Sequence, residues 1–264
     1  MRRGLVTTRS AAQAAIDAGR VLVNGAPAAK AGHLVSPGEP LLLAGPPSRF
    51  VSRGGEKLDA ALDRFGVTVA ARRALDAGAS TGGFTDCLLQ RGASQVIAVD
   101  VGHGQLHPRI RSDPRVVVIE RTNVRSLTLA QIGGEPLPLV VADLSFISLG
   151  TVAPALAGEV AAAGADLVLL VKPQFEAGAK EAGRGRGVIR DPEIWQRVLV
   201  EVGTALCGVG AAMMGLMVSP LTGASGNVEF LAHFQAHAHV PGTSAPRSTW
   251  QAWVEAVVAE AAAR

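Results

Sequence analysis

The sequence predicts an α/β protein: an open, Rossmann-like sheet of seven mostly parallel strands, preceded by a small α+β module. Three observations carry that expectation. From Ala74 onward, short apolar runs alternate with helical segments, the rhythm of βαβ units. Within that stretch, A-L-D-A-G-A-S-T-G-G-F-T-D-C-L-L, from Ala74 to Leu89, reads as strand, glycine-rich turn and helix. That sequence of elements opens a nucleotide-binding unit, because glycines let a ligand approach the backbone and a helix N-terminus offers free N–H groups. Finally, apolar runs end in charged residues: Asp76, Asp100, Asp143 and Lys172. Ligands of open α/β sheets sit beyond the carboxyl ends of the parallel strands, so these side chains are expected to converge there.

Residues 1–43 form the module. Ser10-Ala-Ala-Gln13 can make a capping box, with Thr8 as a competing cap, and Ala12, Ala15 and Ile16 share one helical face. Gly19 stops that helix. Val21–Val23 meets Asn24-Gly25, a tight-turn signal, and a strand over Glu39–Leu43 completes a minimal sheet. Residues 44–52, with Gly45-Pro46-Pro47, are the linker. The second domain, 53–264, begins with a helix running to about Phe65; its Lys57, taken alone, reads as an ordinary solvated lysine. Strands are expected at Ala74–Asp76, Val96–Asp100, Val116–Glu120, Leu139–Asp143, Leu167–Val171 and Ala212–Val218, with an antiparallel one at Glu229–Phe234. Helices are expected at Phe84–Arg91, Thr151–Ala163, Pro192–Leu206 and Thr249–Ala263.

Composition narrows the function classes. No membrane-spanning helix is expected, and the basic N-terminus lacks the apolar core of a signal peptide. Cys87 and Cys207 cannot form a disulfide framework, which points to the cytoplasm. A net charge of +3 and a pI near 9.3 suit a partner bearing phosphates. The six histidines have no ligand spacing, so no metal is expected, and His103 and His107 read as loop residues.

Gly78, Gly82 and Gly83 are spaced G-x-x-x-G-G, which is not the dinucleotide fingerprint. With Asp76 before them and Asp100 at the next strand end, where a ribose diol is usually held, the loop resembles motif I of S-adenosylmethionine-dependent methyltransferases. Seven strands with a late reversed one is that family's sheet. The N-terminal pattern T-x-R-S-x-A-x-x-A-I-x-A-G-R-V-L-V-N-G resembles the αL RNA-binding domain named after the fourth protein of the small ribosomal subunit. The resemblance implies RNA contacts from Arg9, Arg20 and Lys30. Such a module normally begins with a further helix, and Met1-Arg-Arg-Gly-Leu5 leaves room for only a remnant. Either the start lies upstream or the module is reduced, with Arg2 and Arg3 on a fraying end.

R-G-G-E-K-L, D-A-G-A-S-T-G-G-F-T-D, A-D-L-S-F-I-S, V-K-P-Q-F-E and G-N-V-E-F, in this order behind the αL module, resemble the TlyA-type family across nearly the whole chain. The resemblance implies an FtsJ-like ribosomal RNA 2′-O-methyltransferase, acting on a cytidine, with S-adenosylmethionine as cofactor and ribosomal RNA or subunits as partner. It implies a catalytic tetrad at Lys57, Asp143, Lys172 and Glu229. Asp143 would otherwise read as a turn cap, and Lys172 before proline has little structural rationale. Asp76, Ser80 and the glycine-loop backbone (Gly78, Gly82, Gly83) are expected to hold the methionine part of the cofactor, and Asp100 its ribose.

A lysine base must lose its proton near neutral pH, which burial or a second cation promotes. Lys172 is the expected base and Lys57 the neighbouring cation. The basic loop Ala179–Arg190 offers Arg184, Arg186 and Arg190 to phosphates, and Phe175 is the aromatic candidate to support a flipped nucleotide. The segment P-S-R-F, residues 47–50, departs from a tryptophan-bearing linker of some relatives. The family's other label, hemolysin, would need an amphipathic membrane segment, for which Trp250–Ala263 is the candidate; core packing explains that helix better. A catalytically inactive RNA binder is the third reading, opposed by the four tetrad matches. A monomer is expected.

Overall fold

The structure, a computed structural model, describes residues 2–6, 9–17, 19–28, 30–45, 49–178, 181, 187–223, 226–236 and 247–264. It divides into two compact units, Met1–Ser52 and Arg53–Arg264.

In the first unit, helix α1 (Arg9–Asp17) precedes strands β1 (Val21–Val23), β2 (Ala26–Pro27) and β3 (Leu41–Leu43), which form an antiparallel sheet in the order β2-β1-β3. Asn24 and Gly25 both have positive φ (52° and 83°), the geometry that lets a two-residue turn match the strand twist. Because α1 begins at Arg9, Ser10 lies inside the helix rather than capping it; Thr8, the other expected cap, lies outside the described residues. The closing strand begins at Leu41, two residues later than expected. Glu39 belongs to a turn, its N–H donating to the Ser36 carbonyl at 3.1 Å, and Pro40 has no N–H to give a ladder. Arg3 is not on a fraying end: its guanidinium donates to the carbonyls of Ser36, Pro37 and Glu39.

The second unit opens with α2 (Gly54–Phe65), ended by Gly66 in the left-handed conformation (φ 67°). Its sheet comprises β4 (Arg73–Ala77), β5 (Gln95–Val99), β6 (Val116–Ile119), β7 (Leu137–Ala142), β8 (Ala161–Val171), β9 (Ala212–Val218) and β10 (Phe230–Gln235). The order is β6-β5-β4-β7-β8-β10-β9, with β10 antiparallel to both neighbours and β4 through β8 parallel. Helices α3 (Gly83–Gln90), α4 (Pro108–Arg111), α5 (Leu149–Ala153), α6 (Pro173–Glu176), α7 (Pro192–Gly208) and α8 (Arg247–Ala262) complete it. His107, expected in a loop, accepts from the Arg109 N–H at 3.2 Å and caps α4.

Strand alternation sorts β4 by face. Leu75 and Ala77 join the large core formed with α5, α7 and α8, while Asp76 points the other way, towards Thr85 of α3. Trp195, Trp250 and Val254 are buried in that core, so the C-terminal helix has its apolar face covered.

The helix expected over Thr151–Ala163 is a misreading of its second half. Alpha-helix ends at Ala153, Pro154–Glu159 forms a π-helical turn, and residues 161–163 already belong to β8. Pro154 cannot donate an intrahelical bond, and Gly164 sits at φ 75°. Ala161 instead pairs with Leu137 of β7, and Ala165 accepts from the Ala236 N–H at 2.8 Å.

Candidate functional site

Asp100, Asp143 and Lys172 each follow the last residue of a parallel strand, so all three leave the sheet along its carboxyl edge. Beside Asp100 and Asp143 lies a cavity of about 440 Å³ lined by Gly78, Ser80, Asp100, Asp143, Ser145 and Phe146, among others. The glycine loop is anchored to the end of β5: the Gly78 and Ala79 N–H groups donate to the Val99 carbonyl at 2.8 and 3.1 Å. The Ser80 N–H donates to Asp100 Oδ2 at 2.8 Å, and Gly102 N–H donates to Oδ1 at 2.6 Å.

The space at two of the loop glycines goes to the protein itself. A Cβ on Gly78 (φ 86°) would stand 2.5 Å from the Asp143 carbonyl oxygen, and one on Gly82 (φ 94°) 2.9 Å from Leu106. These glycines let the β7 end and the α4 segment close onto the loop, which fixes the distance between Asp100 and Asp143. Gly83 is the first residue of α3 and is buried.

Asp76 is inside the strand, with Ala77 after it, and is fully buried. Thr85 Oγ1 donates to its Oδ2 at 2.6 Å, while Oδ1 has no hydrogen-bond partner. Burial pushes this carboxyl up to about 7, with the Asp143 and Asp100 charges adding to the effect. Two carboxyl groups on the cavity wall, Asp100 and Asp143, with the incompletely satisfied Asp76 buried two residues before Gly78, suit a cationic ligand. The donor set therefore fits a cofactor carrying a sulfonium and an ammonium.

The tetrad residues form two ion pairs. Lys57, one turn into α2, contacts Glu229, which precedes β10 by one residue. Lys172 Nζ lies 2.5 Å from Asp143 Oδ1 and donates to Ser145 Oγ at 3.1 Å. The segment after β7 and the segment after β8, read separately in the sequence, are one bracket. Beyond the Lys172 contacts, Glu176 accepts from Ser148 Oγ at 2.6 Å and from the Leu149 N–H at 2.9 Å, tying α6 to the start of α5. Burial raises the Glu176 pKa, against the lowering effect of these two bonds.

Phe146 was missed by sequence reasoning. It is 90% exposed, has φ 63°, and packs on Phe175 with ring centroids 4.8 Å apart. Lys172 Nζ is 5.8 Å from the Phe175 centroid. A bulky residue held in the left-handed region costs backbone energy, and its exposed ring forms part of the cavity wall. The signal available was its place three residues after a strand-end aspartate.

Asn227 was also missed. Its amide Oδ1 accepts from Ile189 N–H at 3.0 Å and its Nδ2 donates to the Gly187 carbonyl at 2.8 Å, two residues before Glu229. Arg184 and Arg186 lie outside the described residues; Arg190 is exposed. In the first unit Arg9 and Lys30 are exposed, whereas Arg20 donates from Nε to the Ala44 carbonyl at 2.9 Å and is partly buried. Among the described residues no cluster of three or more His, Cys, Asp or Glu side chains is placed to hold a metal, and no helix is long and apolar enough to cross a membrane.

Residues 50–236 match the FtsJ-like methyltransferase family, and residues 2–41 match the S4 domain. The chain is 52% identical over 231 residues to the "16S/23S rRNA (cytidine-2′-O)-methyltransferase TlyA" of Mycobacterium tuberculosis, covering 87% of this chain and 85% of that one. It is 40% identical over 234 residues to "Hemolysin A" of Brachyspira hyodysenteriae, covering 88% and 95%. Among solved structures, "Putative hemolysin from Streptococcus thermophilus" superposes with a TM-score of 0.77 at 39% identity, covering 98% of this chain and 92% of that one. The chain belongs to the TlyA-like family of FtsJ-like, S-adenosylmethionine-dependent methyltransferases that carry an S4 domain.

Proposed function

We propose that the protein methylates the 2′-hydroxyl of a ribose in ribosomal RNA, a cytidine by analogy with the mycobacterial relative's name. The observation that carries this reading is the Lys172–Asp143 pair, whose Asp143 lines the cofactor-sized cavity, beside the Phe146–Phe175 pair. S-adenosylmethionine, when bound, supplies an electrophilic methyl group on a sulfonium. What remains for the chain is alignment and one proton transfer. Asp100 takes the ribose of the cofactor, and the glycine-loop backbone with Ser80 takes its methionine part, with the buried Asp76 carboxyl behind them. Phe146 and Phe175 stack the base of a nucleotide turned out of its helix. Lys172 Nζ takes the 2′-hydroxyl proton as the oxygen–methyl bond forms and the sulfur–methyl bond breaks. Asp143 orients that nitrogen, and Glu229 holds Lys57 in place behind it. The S4 domain, with Arg9 and Lys30 exposed, supplies phosphate contacts that position RNA without reading sequence. Such an enzyme works in the cytoplasm, where ribosomal subunits are, and the reading takes the protein as a monomer.

The test uses purified protein, methyl-labelled S-adenosylmethionine and separated ribosomal subunits, with dye-loaded liposomes in parallel. Label should enter RNA, and digestion should return 2′-O-methylcytidine. Label in neither subunit's RNA would sink the proposal. Dye leakage without methyl transfer would replace it with the hemolysin reading.

A further inference from the structure

Glu229 is held in a socket that the tetrad motif does not include. Its Oε2 faces Lys57, and its other oxygen lies against Gly223. A Cβ built on Gly223 would stand 2.1 Å from Glu229 Oε1 and 2.7 Å from its carboxyl carbon. Nothing in the backbone demands glycine here, since Gly223 is not among the residues with positive φ. The demand is for space alone.

The surrounding chain cannot easily retreat from that contact. Gly223 N–H donates to the Asn227 carbonyl at 2.8 Å, and Gly226 N–H to the Gly223 carbonyl at 3.3 Å. Arg53 donates to the Thr222 carbonyl at 3.1 Å, and Ser219 Oγ to the Leu221 carbonyl at 2.7 Å. The Asn227 side chain is itself bonded to Gly187 and Ile189. The partner that gives way to a methyl group at 223 is therefore the free end of the Glu229 side chain. Moving the end of a flexible side chain is cheap for folding. Here that end is the carboxylate that fixes Lys57.

We propose that Gly223 is a positioning residue for the methyl transfer: its missing side chain sets where the Glu229 carboxylate stands and, through it, where Lys57 stands. The inference rests on the proposed reaction for its kinetic test but not for its structural one. It separates activity from stability in a way that an ordinary packing glycine would not.

The experiment is Gly223→Ala, with Glu229→Asp and the double variant. Gly223→Ala should keep a melting temperature within about 3 °C of wild type, roughly the change that 1 kcal/mol produces in a domain of this size. Its KM for S-adenosylmethionine should be unchanged. Its kcat on ribosomal subunits should fall on the order of 10²-fold, as expected when a catalytic group is misplaced by about 1 Å. Glu229→Asp withdraws the carboxylate by one methylene, so the double variant should be more active than Gly223→Ala, a non-additivity that a merely structural glycine cannot produce. A crystal structure of Gly223→Ala should show the Glu229 carboxylate displaced by about 1 Å with Lys57 still paired to it and displaced likewise. Normal kcat, activity lost only in proportion to folding, or Glu229 and Lys57 at their wild-type positions would each overturn the inference. If the wild type fails to methylate RNA, the proposed function falls, and the crystallographic positions of Glu229 and Lys57 still decide the role of Gly223.

Discussion

The two lysine–carboxylate pairs are built from the same chemistry and differ in what surrounds them. Lys57 and Glu229 are sealed, with side chains 10% and 3% exposed, and neither lines the cavity. Lys172 and Asp143 are 11% and 25% exposed, Asp143 forms part of the cavity wall, and an aromatic pair stands beside them. The carboxyl groups around the glycine loop repeat the contrast. Asp76 is fully buried with one oxygen unpartnered, while Asp100 lines the cavity and accepts two backbone N–H bonds. A sealed charge costs desolvation and returns rigidity; an open one can meet a ligand. On the proposed reading, the site has an inner layer that fixes geometry and an outer layer that touches what binds.

Removing the outer lysine should produce the largest effect on chemistry. Lys172→Ala is expected to lower methyl transfer by about 10² to 10⁴-fold, the range for a lost general base, with S-adenosylmethionine affinity near normal. Labelled transfer and calorimetry on the same preparation check it. Cofactor binding lost in parallel with activity would move Lys172 into the inner layer and break the contrast.

Removing the inner lysine should instead appear first in stability. Lys57→Ala leaves Glu229 buried with no lysine opposite it, and breaking a buried pair from one side costs about 3–5 kcal/mol. Denaturant unfolding of Lys57→Ala and Lys172→Ala side by side sharpens the comparison. Equal midpoints would show that burial does not distinguish the pairs.

What the sequence makes legible follows the same division. Strand ends are readable because apolar runs stop at charged residues, and Asp100, Asp143 and Lys172 stand where those runs predict. Lys57 is not readable without a family resemblance, since its partner lies 172 residues away and a single lysine on a helix carries no sign of burial. The Gly223 socket is hidden for the same reason: a glycine in a loop reads as a turn until the side chain facing it is known. The alanine run before Leu167 misleads because propensity favours helix, whereas pairing with β7 and Ala236 decides for strand. Phe146 looks like part of a hydrophobic run, and only its backbone conformation and exposure separate it from the core.

The sealed Asp76 gives the contrast a pH dependence. Its carboxyl is raised from an ordinary 3.8 to about 7, chiefly by burial. A raised folded-state value means that its contribution to stability is fully present below the unfolded value and is lost as pH rises through about 7. The span corresponds to roughly 4 kcal/mol at most, because one pKa unit is about 1.4 kcal/mol. Cofactor-free protein should therefore unfold more readily at pH 8 than at pH 5.5. Asp76→Asn should flatten that difference, with Thr85 still able to donate to the amide oxygen. An equally steep slope in the variant would place the titration elsewhere.

The open Asp100 is expected to give the smallest effect and the most selective one. Its two oxygens already accept from Ser80 and Gly102, so the protein does not depend on a ligand to satisfy it, and Asp100→Ala should leave the unfolding midpoint close to wild type. S-adenosylmethionine affinity should weaken by about 1.5–3 kcal/mol, the value of a hydrogen bond to a charged group, or roughly 10- to 150-fold in Kd. Part of that loss comes from freeing the Ser80 N–H and part from the ribose contact itself. An S-adenosylhomocysteine analogue lacking the ribose hydroxyls separates the two. If Asp100 holds the diol, wild type and Asp100→Ala should differ far less for the analogue than for S-adenosylhomocysteine. A difference of the same size for both ligands would mean that Asp100 orders the glycine loop without touching the ribose, and Asp100 would then join Asp76 and Glu229 in the inner layer.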